Sequence, residues 1–366
     1  MNPKIEPGGR HGTRVTRVAI AAAAALTLTA VGGMATIAQD EEAVEIGFVF
    51  WETKTDAFVQ MANGGKAVGD LDPMVNVERA APETGDPQRQ AALFGPIAQT
   101  QTDGIVLQSL AADPLLRPVK EATDAGIPVA AIDAPPPAGA GVKLFVTADN
   151  YGLGGQLAAA VLALVPEDAS GPVIIGSTGV GVPPLDQRAQ GMADKVAELR
   201  PDLEIVGPIS TMGTAATSAE VYAAWDGLLK NNPDAVAVMA PSAQDATAWG
   251  LLAKRADFDL PSGGFDLEAG NLQSVKDGSV DYVMSPEHWL SGYVATRALA
   301  DAALSGEDPL EGLMLLPGLL VESTNIDEVI ARQESEGSVA AALAPVGDDI
   351  VANAEQYIVG PWPPEG

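Results

Sequence analysis

The sequence contains no cysteine and only two histidines among its 366 residues. The absence of cysteine excludes disulfides, a thiol nucleophile, thiolate metal sites and an N-terminal lipid anchor. His11 lies in the N-terminal segment, which leaves His288 as the one histidine of the rest of the sequence. Because there is also no acidic loop of EF-hand spacing, the sequence predicts no metal site and no cofactor.

Basic residues are scarce as well. The chain has 20 Lys and Arg against 49 Asp and Glu, which gives a formal net charge of −29. An acidic surface of this kind repels nucleic acid and anionic lipid, so we expect neither as a partner. Beyond the N-terminal segment, we expect no apolar stretch to span a membrane.

The N-terminal segment has the order basic, apolar, small. Four basic residues precede an apolar stretch from Val18 to Val31, and small residues end at Ala38. This stretch is about 14 residues long, shorter than the roughly 20 that cross a bilayer. Residues 1–38 are therefore predicted to be a cleaved secretory signal peptide, which leaves a soluble protein in the periplasm of a two-membrane bacterium.

Short apolar runs alternate with helical patterns along the rest of the chain. Runs such as Ile46–Phe50 and Pro128–Ile132 are too short for helices, and most are followed by segments of helical periodicity. The alternation predicts βα units that build parallel sheets buried on both faces. The layout repeats from near Leu144, so we expect two similar α/β domains facing each other across a cleft.

Several of these runs end in side chains that can hold a polar ligand. Ligands of open α/β sheets bind outside the carboxyl ends of the strands, so these side chains should converge on one cleft. They are Trp51, Gln108, Asp133, Ser177, Gln244 and Asp266.

The residue types indicate binding of a small polar molecule. The carboxylates of Asp133 and Asp266 can each accept two hydrogen bonds from adjacent hydroxyls. Arg188 can donate several hydrogen bonds and balance the acidic charge, and Trp51 and Phe58 offer flat apolar faces. Each residue also has a structural alternative: Asp133 could cap a turn, Arg188 could bridge domains, and Phe58 could belong to a core.

Catalytic motifs are poorly represented. The glycine-rich run Gly176–Gly181 lacks the Gly-Lys-Ser/Thr of a phosphate loop. No Gly-x-Ser-x-Gly elbow supports a triad built on His288. A glycoside hydrolase that uses two carboxylates remains an alternative, because the separation of such a pair depends on the fold. We expect binding without catalysis, and therefore no catalytic residue.

Taken together, the segments resemble a periplasmic sugar-binding protein of the ribose-binding type, the solute-capturing component of an ABC importer. The resemblance runs from about Ile46 to Asn325 and rests on the order and spacing of several stretches. These are IGFVFWETKTDAFVQ, DPQRQAALFGPIAQTQTDGIVLQS, AGIPVAAIDAP, TADNYGLGGQLAA, DQRAQGM, LLKNNPDAVAVMAPSAQDATAWG and GGFD.

The resemblance implies two Rossmann-like domains with parallel sheets, joined by a three-strand hinge and separated by the ligand cleft. The third crossing is expected near Leu319–Glu322. The N-terminal lobe is predicted to comprise residues 44–148 plus about 287–319. The C-terminal lobe is predicted to comprise residues 149–286 plus about 320–350, followed by a tail over residues 351–366.

The resemblance also implies which positions bind the ligand. They are Trp51, Thr55, Ala57, Phe58, Gln108, Asp133, Ala134, Arg188, Gln244, Asp266 and a position near Pro286. The chain departs from the ribose-type pattern at Ala57, where an aromatic is expected, at Ala134, where an arginine is expected, and at Pro286. Glu287, His288 and Trp289 could replace the polar contact missing at Pro286. These departures favour another sugar, a polyol or a small positively charged ring over ribose.

The implied function is capture of a small sugar or polyol in the periplasm and its delivery to the permease of an ABC transporter. Two alternatives remain open: a sensory ligand-binding subunit for a chemoreceptor, and an exported glycoside hydrolase that uses cleft carboxylates. A sugar-sensing repressor is disfavoured, because a signal peptide stands where its helix-turn-helix should be.

Overall fold

The computed structural model describes residues 43–212, 217–254 and 260–363, so the predicted signal peptide lies outside the described residues. The strands of the described part are β1 (Val44–Val49), β2 (Val75–Ala80), β3 (Gly104–Gln108), β4 (Val129–Ile132), β5 (Leu144–Ala148), β6 (Val173–Ser177), β7 (Ile205–Ser210), β8 (Ala237–Met239), β9 (Ser262–Phe265), β10 (Tyr282–Ser285), β11 (Gly312–Leu316), β12 (Leu319–Val321) and β13 (Ile358–Gly360). Its α-helices are α1 (Asp56–Leu71), α2 (Pro87–Thr100), α3 (Leu116–Asp124), α4 (Asn150–Leu162), α5 (Pro183–Leu199), α6 (Ser218–Asn231), α7 (Ala243–Ala253), α8 (Ala269–Lys276), α9 (His288–Ser305), α10 (Ile326–Arg332) and α11 (Glu336–Ala352).

The first lobe is built on a sheet whose described strands follow the order β13-β11-β5-β4-β3-β1-β2. Neighbouring strands are parallel except β13, which runs antiparallel to β11. Strands β3 and β4 are buried along their whole length, because α1 and α9 cover one face of the sheet and α2 and α3 cover the other. Burial on both faces explains their continuous apolar sequence.

The second lobe repeats this arrangement with strand order β12-β10-β9-β8-β6-β7. Strand β12 is antiparallel to β10, and the other described pairs are parallel. Helices α4 and α5 pack on one face and α6, α7 and α8 on the other. The predicted fold class, two α/β domains with parallel sheets, is confirmed.

The chain passes from one sheet to the other after β5, after β10 and after β11. Ala148 ends β5 in the first sheet, and α4 then packs on the second. Ser285 ends β10 in the second sheet, and α9 then returns to the first. Pro317 and Gly318 join β11 of the first sheet to β12 of the second.

The C-terminal segment returns to the first lobe, which makes a fourth link through residues 333–335. Helix α10 packs against α8, whereas α11 packs against α1 and α9. Leu343 and Ile350, two turns apart on α11, bury their side chains in the first core, and β13 then pairs with β11. The sequence places 320–350 with the second lobe and 351–366 in a tail; the structure places α11 and β13 with the first lobe, because their apolar side chains are buried there.

None of the described helices combines the length and apolarity that crossing a bilayer requires.

Candidate functional site

The carboxyl ends of three first-lobe strands are tied together by Gln108, whose side chain is fully buried. Its Oε1 accepts a hydrogen bond from the backbone N–H of Trp51 at 2.9 Å. Its Nε2 donates to Oδ2 of Asp133 at 3.0 Å. Since the three residues follow or end β1, β3 and β4, Gln108 fixes Asp133 at the edge of the sheet.

The indole of Trp51 lies against Gly85. A Cβ added to Gly85 would come within 2.5 Å of the indole Nε1, so a glycine is needed for this close approach. Glu52 supports the same loop, because its Oε2 accepts a hydrogen bond from the Gly85 N–H at 2.8 Å. Thr55 and Phe58 lie just beyond. Thr55 is exposed and bonds to Glu52, and Phe58 is half-buried against the first core.

In the second lobe, Arg188 is only 2% exposed. Its Nε donates to Oδ1 of Asn150 at 2.8 Å, and its Nη1 donates to the carbonyl of Pro241 at 3.0 Å. The guanidinium lies 4.5 Å from the centroid of the Phe265 ring, a distance typical of a cation–π contact. These contacts hold the guanidinium in one place, with Nη1 3.5 Å from Oδ1 of Asp266.

The carboxylate of Asp266 also contacts the first turn of α9. Nε2 of His288 lies 3.1 Å from the same Oδ1, and the His288 side chain is 10% exposed. The contact therefore joins the end of β9 in the second lobe to a helix that packs in the first. From the sequence, His288 is predicted only as a possible substitute for the polar contact missing at Pro286. Its position just after the second crossing is the sequence feature that indicates a role in the site.

We call Gln108, Asp133, Arg188, Asp266 and His288 the cleft cluster. Burial raises the pKa of Asp133, and His288, Gln108 and Arg188 only partly offset that effect. Burial also acts on Asp266, but Arg188 and the bond to His288 outweigh it and hold the pKa of Asp266 below its usual value. Asp266 is therefore the more readily ionised of the two carboxylates.

Neither Gln244 nor Glu287, both predicted as site residues, belongs to the cleft cluster. Gln244 is exposed on α7, and its neighbour Asp245 is buried instead. Glu287 is buried, but its carboxylate pairs with Nη2 of Arg332 at 2.9 Å. The side chain of Gln244 points to solvent because α7 turns its neighbour Asp245 inward. The carboxylate of Glu287 is already paired with Arg332.

Asp245 organises the strand ends of the second lobe. Its carboxylate accepts hydrogen bonds from the Thr178 N–H at 2.9 Å, the Trp225 Nε1 at 2.9 Å and the Ser242 Oγ at 2.6 Å, and also from Thr211 Oγ1. A buried carboxylate with four donors is well satisfied, so Asp245 fixes the loops after β6 and β8.

A cavity of about 140 Å³ adjoins the cleft cluster at Asp133. Three larger hollows, of about 570, 620 and 400 Å³, lie elsewhere, the third beside the amino ends of β9 and β10. The first borders residues that precede β3, β4 and β5, at the amino ends of the strands, and the second lies among α1, α8 and α11. We place the candidate site at the cleft cluster, because ligands of parallel sheets bind at the carboxyl ends and convergent polar groups mark such sites.

In the part of the chain that the structure describes, no group of three or more His, Asp and Glu side chains could hold a metal ion. What the cleft cluster offers is hydrogen-bond donors and acceptors from both lobes. Its chemistry is suited to holding a small molecule that carries several hydroxyls.

Two α/β lobes linked by several crossings, with polar side chains converging between them, define a bilobal solute-binding protein. The family model for the periplasmic binding protein domain matches residues 46–308, and the chain belongs to that family.

Solved structures share the fold over most of their length. A carbohydrate transporter solute-binding protein from Agrobacterium radiobacter, in complex with D-arabinose, is 25% identical, with a TM-score of 0.63 over 79% of this chain and 97% of that one. A periplasmic ribose ABC transporter protein from Conexibacter woesei is 19% identical, with a TM-score of 0.69 over 79% and 95%. An ABC transporter solute-binding protein from Agrobacterium vitis with bound D-fucose is 22% identical, with a TM-score of 0.65 over 79% and 98%.

Proposed function

We propose that this chain captures a small sugar or polyol between its two lobes and releases it unchanged. One observation carries the proposal. Asp266 of the second lobe contacts Arg188 and His288, and the charges of the same two residues partly offset the burial that raises the pKa of Asp133 in the first lobe. A hydroxylated ligand at this position would be held by both lobes at once. Structural relatives with bound D-arabinose and D-fucose support a sugar as the ligand class.

The chemistry of the cleft cluster supports a neutral polyhydroxy ligand. Each carboxylate can accept hydrogen bonds from two neighbouring hydroxyls, while Arg188 and Gln108 supply donors for ring and hydroxyl oxygens. Buried polar groups are costly unless they are hydrogen-bonded, so a ligand that satisfies them all is strongly preferred over one that leaves a group unpaired.

We further propose which residues bind the ligand. They are the cleft cluster together with Trp51, which follows β1, and with Thr55 and Phe58 at the start of α1. Trp51 supports this role because its indole is half-buried and held against Gly85. The two lobes, joined at the crossings after β5, β10 and β11, would close over the ligand as a hinge. We also propose the lobe boundaries predicted from the sequence, with the change that α11 and β13 belong to the first lobe.

We propose that the protein works in the periplasm and delivers its ligand to an ABC transporter permease. The order of basic, apolar and small residues in 1–38 supports export through a cleaved signal. Membership of the periplasmic binding protein family supports the same compartment. Mass spectrometry of the exported protein should give an N-terminus at Gln39.

Calorimetric titration of the exported chain tests the binding function. The probes are D-arabinose, D-ribose, D-galactose, D-fucose and the polyol erythritol. We expect at least one probe to bind at one site per chain and to be recovered unchanged. Asp266→Asn should weaken that binding, whereas Asp124→Asn, on the exposed face of α3, should not. Absence of binding for every sugar and polyol tried would refute the proposal.

A further inference from the structure

The C-terminal segment brings an aromatic side chain to the cleft. The ring of Trp362 lies 4.7 Å from the ring of Phe145, measured between centroids, with an angle of 53° between their planes. Phe145 is buried on β5, and Trp362 is partly buried against the same core. Aromatic pairs at this separation are attractive, so Trp362 is held on the face of the first sheet.

The backbone before Trp362 is fixed by strand pairing. In the irregular β11–β13 pair, Leu313 is opposite Gly360, and the N–H of Leu315 donates to the carbonyl of Tyr357 at 2.9 Å. Gly312 has φ +125°, and a Cβ there would come within 2.9 Å of the Gly360 carbonyl oxygen. Glycine is therefore required at Gly312 for the two strands to approach, and Trp362 follows two residues after β13.

Trp362 lines the cavity of about 140 Å³ that adjoins the cleft cluster. Asp133 and Thr147 line the same cavity from the first lobe, and Pro183 and Gln187 line it from the start of α5 in the second. The cavity is thus shared by both lobes and by the C-terminal segment. Its remaining lining is apolar, from prolines, leucines and Phe145.

The apolar side chains of this cavity favour a ligand that places an apolar edge against them. A hydroxyl placed against Phe145 and Trp362 would lose its hydrogen bonds to water without replacement. A methyl group or the C–H face of a ring would instead pack on the indole. An apolar cavity of roughly 150 Å³ can hold a molecule as large as benzene, so the space suffices for the edge of a sugar.

We propose that Trp362 is a specificity-determining residue of the sugar site: its indole receives an apolar edge of the sugar whose hydroxyls bind Asp133. The inference rests on the proposed function and narrows it to sugars that carry a methyl group at one edge, such as 6-deoxyhexoses.

The test compares pairs of sugars that differ only in a methyl or hydroxymethyl group. The pairs are D-fucose with D-galactose, L-rhamnose with L-mannose, and 6-deoxy-D-glucose with D-glucose. By calorimetry, the unmodified protein should bind at least one deoxy sugar more tightly than its partner. In Trp362→Ala, affinity for that deoxy sugar should fall at least tenfold, and the preference over its partner should shrink. Trp362→Phe should retain most of both.

Leu199→Ala, which alters an exposed apolar residue at the end of α5, is the matched control and should change neither value. Should Trp362→Ala fail to fold, Trp362→Phe still provides a readout. The sugar should change the tryptophan fluorescence of the unmodified protein, and that change should be smaller in Trp362→Phe.

The role of Trp362 is refuted, while the proposed function stands, if the protein binds sugars without preferring any deoxy sugar. The same holds if Trp362→Ala folds and keeps the preference. The role is also refuted if the fluorescence change is the same in Trp362→Phe. If the protein binds no sugar or polyol of either panel, the proposed function fails with it.

Discussion

Asp133 and Asp266 occupy equivalent positions in the two lobes. Each is the first residue after a strand, and their φ angles are +69° and +70°. The N–H of Asp133 donates to the carbonyl of Val146 at 3.1 Å, and that of Asp266 donates to the carbonyl of Met284 at 3.0 Å. Each aspartate therefore leaves its sheet at the same point, bound to the next strand, so that a molecule between the lobes meets one carboxylate from each.

This equivalence predicts that both carboxylates matter for affinity. Replacing Asp133 or Asp266 by alanine should weaken sugar binding by at least about 2 kcal/mol, roughly 30-fold, because ligand hydroxyls lose their acceptor. Calorimetry on each variant measures the change, and Asp124→Ala serves as the control. An affinity within twofold of the unmodified protein in both variants would argue against the assigned site.

Arg188 should matter for stability before any ligand is present. Arg188→Ala removes the partner of Asn150, Pro241 and Asp266, and breaking a buried ion pair costs about 3–5 kcal/mol. We expect the free energy of unfolding in urea to fall by about 3 kcal/mol. Arg117→Ala should change it by less than about 0.5 kcal/mol, because Arg117 is exposed on α3. Equal effects of the two substitutions would contradict the buried role of Arg188.

Asp245→Asn tests whether the hydrogen bonds accepted by the buried Asp245 carboxylate stabilise the second lobe. An asparagine cannot accept all four hydrogen bonds, so at least one buried donor loses its partner. We expect unfolding to become easier by about 2 kcal/mol in urea. Asp226→Asn, which alters a half-exposed carboxylate paired with Lys230 on α6, is the matched control. A wild-type midpoint for Asp245→Asn would show that the carboxylate is not required for the fold.

The pH dependence of stability should contain a contribution from Glu268. Burial, together with the nearby Asp266 and Asp56, raises the pKa of Glu268 to about 8. The folded protein therefore holds this proton more tightly than the unfolded chain, in which a glutamate titrates near 4.5. The stabilisation is complete below pH 4.5 and is lost as pH rises toward 8.

Glu268→Gln should remove this loss. Thermal unfolding of the variant should match the unmodified protein near pH 4.5 and occur at a higher temperature at pH 8. Glu334→Gln is the matched control, because Glu334 and Glu268 both border the hollow of about 620 Å³ among α1, α8 and α11. If Glu268→Gln follows the unmodified profile at every pH, Glu268 is not a buried titrating group.

Much of the architecture follows from sequence pattern. Strands buried on both faces give continuous apolar runs, and the runs ending at Gln108, Asp133 and Asp266 mark the carboxyl edge of each sheet. Asp86 follows the general preference for aspartate at helix N-caps: it caps α2 by accepting hydrogen bonds from the N–H groups of Gln88 and Arg89. Local rules suffice here because local structure and burial agree.

The C-terminal helix α11 is not predictable in this way. It contains Pro345 in its interior and Gly337 and Gly347, all of which are poor helix formers. Packing against α9 stabilises it instead. A Cβ on Gly347 would come within 2.4 Å of the Tyr293 ring, and the Tyr293 hydroxyl donates to Asp348 at 2.8 Å. These are long-range contacts, which periodicity does not reveal.

The same limit applies to the site. Sequence places Gln244 and Glu287 near the ends of strands, but it cannot show that Asp245 turns inward or that Arg332, 45 residues from Glu287, pairs with it. Nor can it show that Trp362 reaches the cavity beside Asp133. Pairing between distant segments decides each of these cases.

The most direct test of the account is a crystal structure of the protein with the tightest-binding sugar of the titration panel. We predict one sugar between the lobes, with hydroxyl oxygens within hydrogen-bond distance of the carboxylates of both Asp133 and Asp266. A sugar bound only in the hollow among α1, α8 and α11, or one that contacts neither aspartate, would contradict the account.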